Sequence, residues 1–230
     1  MKYLALTFLS AFVIATNAMA ADPTNASPAD AKAIMQTFQQ RAANSKTVYM
    51  EFTQERVLKM FNDPLVTEGV MLIAQPDHIR WETTDPYQTI VIGEKKSVVQ
   101  FEYNNGKWDK LNLGFPQAMQ RMMQQMSAMN RGKMDAMMED FNITATTGSE
   151  TVLKLVPKMD MVKNIIASME IHLSPDLSAT RQVVMNEPNG DLTRINFHAE
   201  KYNVDFPAGT FDQSKPVPIA EIKAAVNHAP

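Results

Sequence analysis

The chain has no cysteine in its 230 residues. Disulfides, thiolate metal sites and cysteine nucleophiles are excluded together, and stability is left to packing. Catalytic signatures are missing too: there is no P-loop, no G-x-S-x-G, no H-E-x-x-H and no Gly-rich dinucleotide turn. The four histidines, His78, His172, His198 and His228, are scattered, and Asp and Glu are spread over turns and strand faces. Neither a metal centre nor a cofactor site nor an acid–base pair is expected, and the chain does not read as an enzyme. After the first twenty residues no apolar run reaches spanning length.

Those first twenty residues read as an address. Lys2 gives a positive start, Tyr3 to Thr16 is a short apolar run, and Ala18-Met19-Ala20 is a small-x-small cleavage site. No Cys follows, so no lipid anchor is expected. The expectation is a cleaved signal peptide over 1–20, a single domain over 21–230, and export of a soluble protein into a periplasm. Removing Lys2 leaves 21 basic against 25 acidic residues, net −4. That is no nucleic-acid footprint, and it tells against adhesion to anionic lipid.

What the chain does have is alternation. In residues 48–53, Val48, Met50 and Phe52 oppose Tyr49, Glu51 and Thr53. In 78–83, Ile79, Trp81 and Thr83 oppose His78, Arg80 and Glu82, the latter set reading as the wet face. In 98–103, Val99, Phe101 and Tyr103 oppose Val98, Gln100 and Glu102. This is the period of half-buried strands. In 69–74 both Gly69-Met71-Ile73 and Val70-Leu72-Ala74 are possible inner faces.

Strands are expected near 47–58, 66–74, 78–84, 87–93, 97–104 and 107–113, and again near 140–147, 151–157, 164–173, 180–187 and 191–202. Turn signals such as Asn104-Asn105-Gly106 and Pro188-Asn189-Gly190-Asp191 make antiparallel hairpins of them. Residues 22–28 read as a polar leader. A helix should start at Ser27-Pro28 with an Ile34, Phe38, Ala42 stripe, and another should close the chain around Ile219 to Val226. The class is α+β. A sheet of some ten strands must curl strongly or close, with helices covering its concave face.

Residues 116–139 break this pattern with helical spacing, divided near Asn130-Arg131-Gly132. They hold Met119, Met122, Met123, Met126, Met129, Met134, Met137 and Met138, eight of the chain's 18 methionines. Three readings stand: a Met-built core helix, an adaptable surface for a flexible apolar ligand, or thioether binding of Cu(I).

Phe52-Thr53-Gln54, Glu68-Gly69, Pro76 followed by Ile79-Arg80-Trp81-Glu82, Asp85-Pro86 and Ile90-Val91-Ile92 resemble the N-terminal half of LolA-type outer-membrane lipoprotein carriers. Asn203-Val204 through Phe206-Pro207 to Phe211 resembles their closing segment more loosely. The resemblance implies a half-open antiparallel barrel with a helical lid over an apolar cavity. It implies a monomer that takes acyl chains of a lipoprotein from an inner-membrane ABC exporter, crosses the periplasm, and passes them to an outer-membrane receptor. A paralogue carrying another lipid or glycolipid, a lipid-sensing domain of the same fold, and a Met-rich Cu(I) protein are the alternatives. On this reading the cavity is lined by Met50, Phe52, Met71, Ile79, Trp81, Val99, Phe101, Met169, Ile171, Ile195 and Phe197, and Met119, Met122, Met123 and Met126 form the lid. Where such carriers have an Arg that latches the lid, before the motif proline, this chain has Gln75.

Overall fold

The computed structural model describes residues 24–26, 28–42, 44–94, 97–111 and 134–228. Their elements run β1 (Thr24–Ala26), α1 (Pro28–Ala42), β2 (Thr47–Val57), β3 (Leu65–Ala74), β4 (His78–Asp85), β5 (Thr89–Glu94), β6 (Ser97–Asn104), β7 (Lys107–Leu111), α2 (Met134–Asp140), β8 (Phe141–Thr147), β9 (Thr151–Pro157), α3 (Asp160–Lys163), β10 (Ser168–Leu173), β11 (Thr180–Asn186), β12 (Leu192–Tyr202) and α4 (Ile219–His228). The strands make one antiparallel sheet of twelve, in the order β1-β8-β9-β10-β11-β12-β2-β3-β4-β5-β6-β7. It consists of two meanders joined where β12 pairs with β2. The order leaves β1 and β7 at the edges, so the sheet is open.

Two elements depart from the sequence reading. The segment read as a polar leader supplies β1, which pairs with β8 from Thr24↔Thr147 to Ala26↔Ala145. Residues 160–163 form a helical turn, with Asp160 in its first turn and Lys163 in its last, so β10 starts at Ser168 rather than near 164.

The sheet has two different faces. On the inner face, α1 lays Ala31, Met35 and Phe38 against Phe141, Ile143, Leu153, Leu155 and Ile171. The buried stripe is thus Ala31-Met35-Phe38, with Ile34 only partly covered. Met137 of α2 joins this cluster as core and Met138 packs against it. Further along the same face, Val48, Met50, Phe52, Met71, Ile73, Ile79, Ile195 and Phe197 form a second cluster.

The outer face of β2 to β6 is covered by the chain after β12. Ile222 and Val226 of α4 pack with Tyr49, Val70 and Leu72. Phe211 reaches the Ile90, Ile92, Phe101 group. β3 is therefore apolar on both sides, which is why its two alternating sets read equally well as an inner face.

The expectation that Arg80 and Glu82 face water is overturned: both are buried. The Arg80 guanidinium donates to Thr210 O at 2.9 Å and Val217 O at 2.7 Å, two carbonyls of the covering segment. Its Nε and Nη2 donate to Glu82 Oε2 at 3.0 and 2.6 Å. Burial pushes the Glu82 carboxyl up, against the pull of Arg80. Breaking such a buried pair from one side leaves an uncompensated charge, at a cost of about 3–5 kcal/mol. Arg80→Met should therefore lower the melting temperature sharply and speed amide exchange over 205–218. The double change Arg80→Met with Glu82→Leu should recover most of the loss.

Candidate functional site

Between the α1 cluster and the β2–β3–β4 cluster the described residues do not fill the inner face. A cavity of ≈ 340 Å³ remains. Its walls come from β10, β11, β12, β2, β3, β4 and β5, with Phe38 of α1 on one side. Laid flat, seven strands would span about 29 Å at the usual spacing of about 4.8 Å. Side chains from both ends of that span can line one cavity only because the sheet curls.

The middle of the cavity is apolar: Met50, Met71, Trp81, Val183, Ile195 and Phe197 line it. They converge through register, since Met50 pairs with Met71, Met71 with Trp81, Trp81 with Val91, and Val183 with Ile195. Trp81 is held by other aromatics. The Phe52 ring stacks on it with centroids 4.1 Å apart, and Phe197 meets it edge-on at 6.5 Å. Gly69, opposite Phe52, is required for this: a Cβ there would run into the Phe52 ring and the Glu82 carbonyl.

The sequence-predicted cavity residues divide as follows. Met50, Met71, Trp81, Met169, Ile171, Ile195 and Phe197 line the cavity. Phe52 and Ile79 are buried in the cluster beneath it. Val99 and Phe101 are corrected: they lie with Ile90 and Ile92 on the outer face. Alternation shows only that two sets of side chains oppose one another; the covering chain determined which set faced out. Met119, Met122, Met123 and Met126, the expected lid, lie outside the described residues.

Gln75 does line the cavity. Its side-chain amide donates to Ser45 O at 2.9 Å, in the connection from α1 to β2. Residues outside the cavity set proposed from sequence also contribute, among them Phe38, Val48, Ile73, Val91, Val183 and Met185. Val48 and Ile73 were available from the two-residue period of Met50 and Met71. Val183 and Met185 were not, because β11 carries apolar residues at 183, 184 and 185 in succession.

Polar lining is confined to the two ends. One end carries Gln54, Arg56 and Thr193; the other carries Ser45, Gln75, Ser178, Thr180, Glu200 and Tyr202. Thr67, opposite Gln54 on the same face, is buried, and its hydroxyl has no hydrogen-bond partner among the described residues. An orphaned buried hydroxyl carries a desolvation penalty that an apolar isostere escapes. Thr67→Val should stabilise the empty protein by about 1 kcal/mol, read as a rise in melting temperature.

The turn at the second end is built on Asp176. Ser174 Oγ and Ser178 Oγ donate to its carboxylate at 2.7 and 2.8 Å, and the Ser178 N–H joins them at 3.3 Å. These bonds hold its pKa down at about 2. A depressed carboxyl stabilises the fold above its unfolded pKa of about 3.9 and loses that contribution as pH falls through the folded value. Amide protection at Ser178 and Ala179, corrected for intrinsic exchange, should therefore fall between about pH 4 and pH 2. In Asp176→Asn it should be lower at neutral pH and flat across that range.

The chain is thus an open α+β half-barrel built around an apolar hollow. It belongs to the LolA family: the family model described as "Outer membrane lipoprotein carrier protein LolA" matches residues 43–214. Searching curated proteins gave no significant match. Among solved structures it is similar to a DUF1329 family protein from Desulfovibrio piger, at 9% identity and TM-score 0.46 over 80% of this chain and 98% of that one. It is also similar to a LolA superfamily protein from Nitrosomonas europaea, at 8% identity and TM-score 0.39 over 78% and 98%. A third is a putative outer membrane lipoprotein-sorting protein domain from Vibrio parahaemolyticus, at 9% and 0.45 over 82% and 98%. No helix among the described residues is long and apolar enough to cross a membrane.

Proposed function

We propose that this chain is a periplasmic, non-enzymatic carrier. It shields acyl chains of lipoproteins in the inner-face cavity and moves them from an inner-membrane ABC exporter to an outer-membrane receptor. The observation that carries this reading is the ≈ 340 Å³ cavity, whose middle is walled by Met, Val, Ile, Phe and Trp side chains. An acyl chain costs about 0.8 kcal/mol per CH₂ when exposed to water, so a protein crossing an aqueous compartment with one must enclose it. The polar groups stand at the two ends, leaving the middle to grip by contact area alone, which suits a cargo that has to be released.

Handover also needs a docking surface. Exposed apolar side chains gather at the end of the sheet where β2 turns into β3: Val57, Met60, Phe61, Leu65 and Val66, with Met159, Met161 and Ile165 of the β9–β10 connection. Register places both connections at that end, because Arg56 pairs with Leu65 and Ser168 with Asn186, next to the β11–β12 turn. Such a rim supports contact with membrane-bound partners.

An apolar dye should bind the native protein at one class of site and be displaced by a lipopeptide. Val183 is a half-buried cavity residue. Val183→Glu would set a carboxylate against the chain, at a cost of several kcal/mol. Displacement should weaken by at least about a hundredfold with the circular dichroism spectrum unchanged. If a folded Val183→Glu protein binds dye and lipopeptide as the native one does, the cavity is not the cargo site.

A further inference from the structure

The two ends of the cavity carry opposite chemistry. Each has an arginine–glutamate pair, but a different member of the pair faces in. At the first end Arg56 lines the cavity and its partner Glu187 does not; at the second Glu200 lines it and its partner Arg181 does not. The Arg56–Glu187 contact is 3.4 Å and the Arg56 side chain is 49% exposed. That is a weak, wet pair, and it leaves most of the five guanidinium donors free. The Arg181–Glu200 contact is 2.6 Å and the Glu200 side chain is only 11% exposed.

Unused donors stand beside the inward-facing arginine at the first end. Gln54 stands directly across from Thr67, and Arg56 directly across from Thr193, on one face of the sheet. Facing cross-strand residues lie about 4.5–5.5 Å apart. The Gln54 side-chain amide has no hydrogen-bond partner among the described residues, and the buried Thr67 hydroxyl has none either. At the second end Gln75 donates to Ser45 O and the Ser178 hydroxyl donates to Asp176, and the charged group that faces in is the carboxylate of Glu200.

From Val48 to Arg56 the cavity wall runs eight residues along β2, about 26 Å of strand at about 3.3 Å per residue. One leaflet of a bilayer's hydrocarbon core is about 15 Å thick, half of the roughly 30 Å total. The cavity wall therefore has the length for one extended acyl chain with a polar head at one end.

We propose that the cavity accepts an acyl amphiphile with an anionic oxygen head, a carboxylate or a phosphate, seated on Arg56 and Gln54, with its chain running over Trp81 toward Glu200. Arg56 supplies charge-assisted bonds in the planar, two-pronged geometry that both heads match. Glu200 rejects the reversed orientation by like charge. This adds a head-group subsite to the acyl-chain reading of the cavity and rests on that reading.

The test is a dye-displacement series at fixed chain length: dodecanoate, dodecyl phosphate, dodecanol and dodecylamine. Dodecanoate or dodecyl phosphate should bind at least about tenfold tighter than dodecanol, which is about 1.4 kcal/mol, and dodecylamine should bind no better than dodecanol. Whichever anion is preferred identifies the head. In Arg56→Gln the anion-to-dodecanol ratio should fall to about one, and in Gln54→Leu it should fall part of the way. Lys154→Gln, which removes an exposed lysine paired with Glu170, controls for net charge and should keep the native ratio.

Equal binding of all four ligands by the native protein would overturn the head-group subsite and leave the acyl-chain cavity standing. An anion preference that survives Arg56→Gln would do the same, as would tightest binding of dodecylamine. Binding of none of the four, with the protein folded, would overturn the cavity reading itself.

Discussion

Arg80 joins two requirements that pull against each other. The inner face around the cavity is partly empty among the described residues, so the strands walling it, β2, β3 and β4, are incompletely packed on the side where most curled sheets have their core. Their rigidity has to come from the other side. The chain after β12 supplies it, laying Val204, Ile222 and Val226 over Tyr49, Val70 and Leu72. Arg80 fastens that layer through the carbonyls of Thr210 and Val217, and Glu82 neutralises the charge. A guanidinium so deeply buried is tolerated only because its donors are met by four hydrogen bonds.

The cavity has a stiff floor and yielding walls. Phe52, Trp81 and Phe197 interlock over Gly69, where no side chain interferes. Around them Met50, Met71, Met169 and Met185 line the space. Methionine is unbranched and polarizable, so it fills an empty pocket or moves aside for a chain at little cost. The methionines Met137 and Met138 do something else: they seat α2 against the α1 cluster. Within one Met-rich stretch, the part that is described serves as core.

Much of the architecture was legible from residue order. Alternation located the strands from β2 to β12, turn residues paired them as antiparallel meanders, and Pro28 marked the start of α1. β1 was not legible, because its three residues have no periodicity of their own and become a strand only by pairing with β8. Seven of the eleven proposed cavity residues line the cavity and two more support it from below. The miss at Val99 and Phe101 was directional: β6 was recognised, but the wrong side of it was turned inward.

The sequence alone determined the spacing of apolar side chains, and with it the strand period and the hairpin order from β2 onward, since these follow from local backbone geometry. The tertiary structure alone decided which side of each strand faces in, whether Arg80 is wet or buried, and where the hollow ends. Those outcomes depend on what lies across each face, and the group covering Arg80 comes from carbonyls 130 and 137 residues further along the chain, a distance over which no periodicity carries information.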